Sequence, residues 1–208
     1  MEIAELTEMN NLSNDGAFSI KMTMPYVAEV TIEGTCPIIF HRWSCDDIEA
    51  KANAKKGSKA KKSDNLESYV YRNEKNELCI PGTYLIGAIT NPKNGAAKYL
   101  QDPRSPRKSA LDLYKAGVVA LTDLASLGVK DWDFVDRRRV TIQRAGITRQ
   151  RPALKAGWQA TFELQVLTPE YVNKADLLEV LTQAGRLVGV GDFRPTFGRF
   201  GVINFKVR

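Results

Sequence analysis

Residues 158–167 read Trp-Gln-Ala-Thr-Phe-Glu-Leu-Gln-Val-Leu, and this stretch decides the fold. Trp158, Ala160, Phe162, Leu164 and Val166 share one face, while Gln159, Thr161, Glu163 and Gln165 share the other. Such alternation describes a strand with one buried and one wet face. Gly157 opens it and Thr168-Pro169-Glu170 breaks it. Downstream, Asn173 or Asp176 starts an amphipathic helix through Leu177, Leu178, Val180, Leu181, Ala184 and Leu187, which Gly189 and Gly191 stop. A glycine-rich loop with aromatics and arginines follows, and Val202 to Val207 forms a closing strand.

Upstream, Tyr26 to Glu33 alternates apolar and polar residues and reads as another strand, ended by Gly34. Pro37 to Phe40 is a short apolar run leading to His41-Arg42-Trp43. Leu78 to Ile80 is a short strand. Pro81-Gly82 then turns the chain, and Thr83 is expected to cap a helix through Leu85, Ile86 and Ile89. Val118 to Leu121 is a further candidate strand. Phe134 to Gln143 sets Val135, Val140 and Ile142 between Arg137, Arg139 and Thr141, with a turn expected at Gly146.

Residues 1–25 are expected to form an arm, and 26–208 a single RRM-like domain. Within it, residues 46–76 are expected to be a mobile basic insertion, with Tyr69 and Tyr71 near its end. The element order predicts an α+β fold: a ferredoxin-like or RRM-like antiparallel sheet with helices on one face, plus the insertion and a basic hairpin.

Composition narrows the function. The 208 residues are 43% hydrophobic and 26% charged, an ordinary globular balance. No apolar run is long enough for a membrane span, and the acidic start MEIAELTEMNN lacks the apolar stretch of a secretory signal. A cytoplasmic location is expected. Cys36, Cys45, Cys79 and the single His41 lack metal-ligand spacing and read as reduced thiols and one imidazole. No nucleophile elbow or Walker A sequence is present, and Gly189-Val-Gly191 lacks the third glycine of a dinucleotide fingerprint. No cofactor is expected, with magnesium required only if the chain is a nuclease.

The net charge of +6 is unevenly placed. From Arg137 to Lys155 there are seven basic residues and no acidic one, so the rest of the chain sums to −1. Lys51, Lys55, Lys56, Lys59, Lys61 and Lys62 form a second cluster. This is the footprint of a polyanion binder, and arginine offers phosphate a planar fork and bases a stacking plane. The expected groove is lined by Arg137, Arg139, Arg144, Arg149 and Arg151, with Lys55, Lys56 and Lys59. Arg42, Arg194 and Arg199 extend it. Trp43, Phe193 and Phe197 are the stacking candidates, with Phe200 a candidate for stacking or core. Gly82, Gly189, Gly191 and Gly198 would allow close backbone approach. The open face of the sheet is the expected platform.

Three segments carry a resemblance. Ile80-Pro-Gly-Thr-Tyr-Leu-Ile-Gly-Ala-Ile89 is similar to a "PGSSLKG" strand-to-helix motif, with Ile86 in place of its lysine. The basic hairpin from Arg137 to Gly157, followed by 158–167, resembles a "(V/I)xIDRxTGxA … GxxFxF" region, with Arg144-Ala145-Gly146 replacing Asp-Arg-Thr-Gly. Gly189 to Gly201 resembles the loop "GxxxSRGFGRV". In this order the segments resemble the RAMP superfamily, the RRM-like proteins of CRISPR RNA-guided complexes. The resemblance implies a backbone-type, RNA-binding, self-associating subunit. Its partners would be single-stranded RNA or DNA, further copies and other effector subunits, in a CRISPR-type or phage-encoded assembly.

Two alternatives stand beside it. One is an RNA endonuclease of the same superfamily, with His41 as general acid or base, or Asp46 and Asp47 holding a metal. Ser44-Cys-Asp-Asp47 fits a helix N-terminus equally well. The other is an assembly protein whose basic patches meet an acidic protein partner.

Overall fold

The computed structural model describes residues 24–43, 49, 53, 65–142 and 145–208. The strands are β1 (Tyr26–Gly34), β2 (Ile38–Ile39), β3 (Tyr71–Arg72), β4 (Leu78–Pro81), β5 (Gln101–Asp102) and β6 (Ser105–Ser109). They continue with β7 (Val118–Ala120), β8 (Leu124–Ser126), β9 (Phe134–Ile142), β10 (Ala145–Leu154), β11 (Gln159–Val166) and β12 (Phe200–Val207). The helices are α1 (Gly82–Thr90), α2 (Leu111–Gly117) and α3 (Lys174–Leu187).

The central sheet has the order β12-β1-β11-β7, with every neighbouring pair antiparallel. Numbered among themselves along the chain, these strands run 4-1-3-2. α1 and α2 lie in the first crossover and α3 in the second. This is the split βαβ arrangement of a ferredoxin-like fold, so the α+β expectation holds. Tyr26 pairs with Val166 and Glu33 with Gln159, which places Ala28, Val30 and Ile32 on the same face as Ala160, Phe162 and Leu164. All six are buried in one core with Leu177, Val180, Leu181 and Ala184 of α3. Burying each large apolar side chain here contributes about 1.5–3 kcal/mol.

α3 begins where the sequence places it. The Asn173 side chain accepts from the N–H groups of Ala175 and Asp176 at 2.8 and 3.1 Å, and Asp176 Oδ2 accepts from the Asn173 N–H at 3.0 Å. That is a capping box. α1 differs from expectation: its N-cap is Pro81 and makes no side-chain cap, so Thr83 lies inside the helix. Proline's fixed φ provides the extended entry.

The face of the sheet that no described element covers carries Glu29, Thr31, Glu33, Thr161, Glu163 and Gln165. Its cations, Lys206 and Arg208, lie beside these carboxylates; Lys206 pairs in register with Glu29, and Arg208 forms an ion pair with Glu163. No aromatic side chain of the sheet's described strands faces that side, because Tyr26, Phe162 and Phe205 pack toward the core. The expected stacking platform is therefore corrected: among the described residues this face offers neither rings nor a net positive field.

Three smaller units flank the core. β2-β10-β9 form one sheet, β3-β4-β8 another, and β5-β6 a hairpin. Within the stretch 46–76, Tyr69 and Val70 are buried and β3 pairs with β4, so the end of that stretch belongs to the fold. Gly146 pairs with Thr141 inside β10, so the turn expected at Gly146 is not there. Among the described residues no helix is long and apolar enough to cross a membrane.

Candidate nucleic-acid interface

The β9–β10 register sorts the arginines by face. Arg138 lies opposite Arg149 and Asp136 opposite Arg151, while Arg137 faces Gln150 and Arg139 faces Thr148. Directly opposed residues share a face, so Arg137 and Arg139 occupy one side and Arg138, Arg149 and Arg151 the other. Arg137 and Arg139 are exposed and form no ion pair with a described residue. Arg138 donates through Nε and Nη2 to Asp136, both at 2.5 Å. That carboxylate pushes the Arg138 pKa up. Arg138's guanidinium lies 4.5 Å from the Phe193 ring centroid and 4.6 Å from that of Phe197.

Arg151 is 8% exposed. Its Nε lies 2.9 Å from Asp192 Oδ2, and its guanidinium lies 4.8 Å from the Phe193 centroid. This corrects the expectation that Arg151 lines the groove: its charge is compensated inside the fold. Phe193 and Phe197 also differ from expectation, since each has a guanidinium over its ring. Phe200 is buried in the core. Arg149 is half-buried on the Arg138 side of the hairpin.

The glycine-rich loop is tied to β2. The Asp192 N–H donates to the Ile39 carbonyl at 2.9 Å, and the Gly198 N–H donates to Pro37 at 2.9 Å. Gly198 has φ +73, and a Cβ there would overlap the Val190 carbonyl; at Gly191, with φ +82, it would come within 2.7 Å of the Ile39 carbonyl. Only glycine fits both the left-handed backbone and that contact. Gly82 and Gly189 are likewise closed by protein backbone, at Thr122 and Gly198. The close approach that these four residues permit is made by the chain itself.

The loop, the end of β2 and α1 enclose a cleft of about 270 Å³. His41 contributes from the chain after β2, Thr83, Tyr84 and Gly87 from α1, and Gly191, Asp192 and Arg194 from the loop. The Tyr84 hydroxyl donates to the His41 carbonyl at 3.2 Å. Burial above all, with Tyr71 next, pushes the Tyr84 pKa well above that of a free phenol. The Tyr71 ring meets Tyr84 edge-on at 6.0 Å, and the Arg42 guanidinium lies 5.2 Å from the Tyr71 centroid. His41 and Tyr69 have ring centroids 5.3 Å apart. Trp43, next in the chain, is 72% exposed.

Of the sequence candidates, the structure thus gathers His41, Arg42, Trp43, Arg194, Gly191 and Phe193 around β2 and the loop. Arg199 is exposed, and its N–H meets Cys36 Sγ at 3.2 Å. Asp46, Asp47, Lys55, Lys56, Lys59 and Arg144 lie outside the described residues. Sequence reasoning missed Tyr84, Asp192 and Arg138 as members of the site. Tyr84 occupies a serine position of the resembled motif, which is the signal that pointed to it. Nothing in the sequence pairs Asp192 with Arg151. Among the described residues no group of three or more His, Cys, Asp or Glu is placed to hold a metal ion.

No family model matches the chain, and no curated protein matches it. Among solved structures, it is similar to a chain in the crystal structure of the Csm3-Csm4 subcomplex in the type III-A CRISPR-Cas interference complex. The identity is 14% and the TM-score 0.38, over 89% of this chain and 80% of that one.

Proposed function

We propose that this chain binds single-stranded nucleic acid, guide RNA foremost, as a subunit that repeats along the strand in a CRISPR-type or phage-encoded assembly. The observation that carries this reading is the outer face of the β9–β10 hairpin, where Arg137 and Arg139 project without a carboxylate partner among the described residues. Exposed arginines at successive positions of one strand face match the backbone of an extended polyphosphate, and neutralising phosphates releases counterions. Arg138 and the rings beneath it stiffen the hairpin from the other side. The assembly part of the proposal rests on the resemblance of the three sequence segments.

The test is fluorescence anisotropy with a labelled oligoribonucleotide across a salt series. A strand held through about five phosphates gives a slope of log K against log salt near −3.5, at about −0.7 per phosphate. Failure of the full chain to bind any oligonucleotide at low salt would overturn the proposal and leave the acidic protein partner as the reading. The ultraviolet absorbance ratio and nuclease sensitivity of freshly purified protein add a second readout, because a tightly held guide co-purifies.

A further inference from the structure

β12 is an outer strand of the central sheet, and no described strand pairs with its outer edge. We propose that a second copy of this chain pairs there, β12 against β12, joining two sheets about a two-fold axis perpendicular to them. The inference stands apart from strand binding, because it concerns the protein without nucleic acid.

Edge strands are templates for strand addition, and most are kept short, charged or broken by proline. The opposite edge, β7, has three residues. β12 has eight, reads Phe200-Gly-Val-Ile-Asn-Phe-Lys-Val207, and holds one charge and no proline. Ile203, near its middle, is 51% exposed.

The backbone is set for a partner. Arg208 and Val27 exchange N–H and carbonyl bonds, and the Arg199 carbonyl accepts from the Thr35 N–H. Alternation from these two ends turns the backbone groups of Lys206, Asn204 and Gly201 toward β1, and those of Val202, Phe205 and Val207 outward. α3 closes the Phe200 carbonyl at Gly185, so the open edge runs from Val202 to Val207.

A bulge fixes the register. Thr31 lies opposite Asn204 and Ile32 opposite Val202, so Ile203 is an extra residue. It shifts the alternation of side chains. Val202, Phe205 and Val207 all lie opposite core residues of β1, while Gly201, Asn204 and Lys206 lie opposite Glu33, Thr31 and Glu29. A perpendicular two-fold axis keeps like faces of the two sheets aligned, and opposed residues must share a face. In an unbroken strand Val202 and Phe205 would sit on opposite faces and could not oppose each other. Here they can, with the axis between Ile203 and Asn204. Val202 of each copy then opposes Phe205 of the other, their outward groups form about four backbone hydrogen bonds, and these half-buried side chains cover each other. A device that commonly turns an edge away from partners makes this edge complementary to itself.

Charge agrees with that register. It sets Lys206 against Gly201 of the second copy, with Glu33 the next residue across. A Cβ at Gly201 would meet nothing within 4 Å, so the lysine has an open path to that carboxylate. Glu33 accepts from Gln159 and has no cationic partner among the described residues. At the ends Arg199 faces Arg208 of the second copy, whose charge Glu163 already compensates.

The experiment is sedimentation velocity on the full chain over a concentration series, with any co-purified strand removed at high salt. A monomer–dimer equilibrium without larger species is expected, because an isologous pair closes on itself. Ile203→Lys sets like charges beside the axis and should weaken the dimer at least about tenfold, with circular dichroism unchanged because that side chain is exposed. Hydrogen exchange at the outward N–H groups of Val202 and Phe205 should slow as concentration rises. A single monomeric mass at every concentration, a dimer that Ile203→Lys leaves intact, or exchange at these two residues that ignores concentration overturns the inference. None of these results bears on strand binding, which the salt series tests separately.

Discussion

Arg137 and Arg151 belong to one hairpin and one run of cations, yet they meet different surroundings. Arg137 is solvated, and its truncation should change stability by less than about 0.5 kcal/mol. Arg151 is buried against Asp192, and losing one member of such a pair strands the other. Arg151→Ala should cost about 3 kcal/mol in urea unfolding, and Arg151→Leu with Asp192→Leu should recover part of it. A smaller loss in the single variant than in the double would disprove the pairing. Carboxylates elsewhere set the acid limit. Asp102 accepts from Arg104 through Nε, Nη2 and the backbone N–H at 3.0, 2.8 and 2.9 Å, which holds its pKa below the usual range. Asn73 and Ser126 do the same for Glu77. A depressed folded pKa stabilises above the unfolded value of about 4 and is lost as pH falls through the folded one. Thermal stability should therefore hold down to about pH 5 and fall below about pH 4, with Asp102→Asn flattening that fall.

At the scale of elements, local rules account for most of the central sheet. Alternation predicts β1 and β11 to within a residue or two, and the Asn173–Asp176 box explains the start of α3. Asn173→Ala should lower stability by about 1 kcal/mol, read as a shift in the urea midpoint. At Gly185 a methyl would overlap the Phe200 carbonyl, so Gly185→Ala should cost more than that cap, although alanine is the better helix former. If Gly185→Ala raised the melting temperature, the close seating of α3 on β12 would be wrong. The elements that local rules miss are held by distant partners. The loop 102–109 closes as the β5–β6 hairpin, α2 follows it, and β8 exists because Cys79 to Pro81 pair with Leu124 to Ser126. Short strands such as these carry too few residues for a period to show.

At the scale of the whole molecule, the exposed arginines Arg137 and Arg139 sit on an appended hairpin, while the sheet face that no described element covers has a mixed polar surface. Binding should follow that division. Arg137→Ala with Arg139→Ala should make the salt slope shallower by about 1.4, while Glu29→Gln with Glu33→Gln on the sheet should leave it unchanged. An altered slope in the sheet variant alone would return the platform to the sheet. The run of arginines, the strand periods and the capped helix are properties of adjacent residues, so the chain by itself determined the α+β class and the presence of a basic hairpin. Which arginine faces water and which is buried follows from a cross-strand register that pairs Asp136 with Arg151, and from a loop that returns from the far end of the chain to place Asp192 there. Only tertiary structure decided that, because burial and ion pairing depend on neighbours brought close in space, and sequence distance carries no record of them.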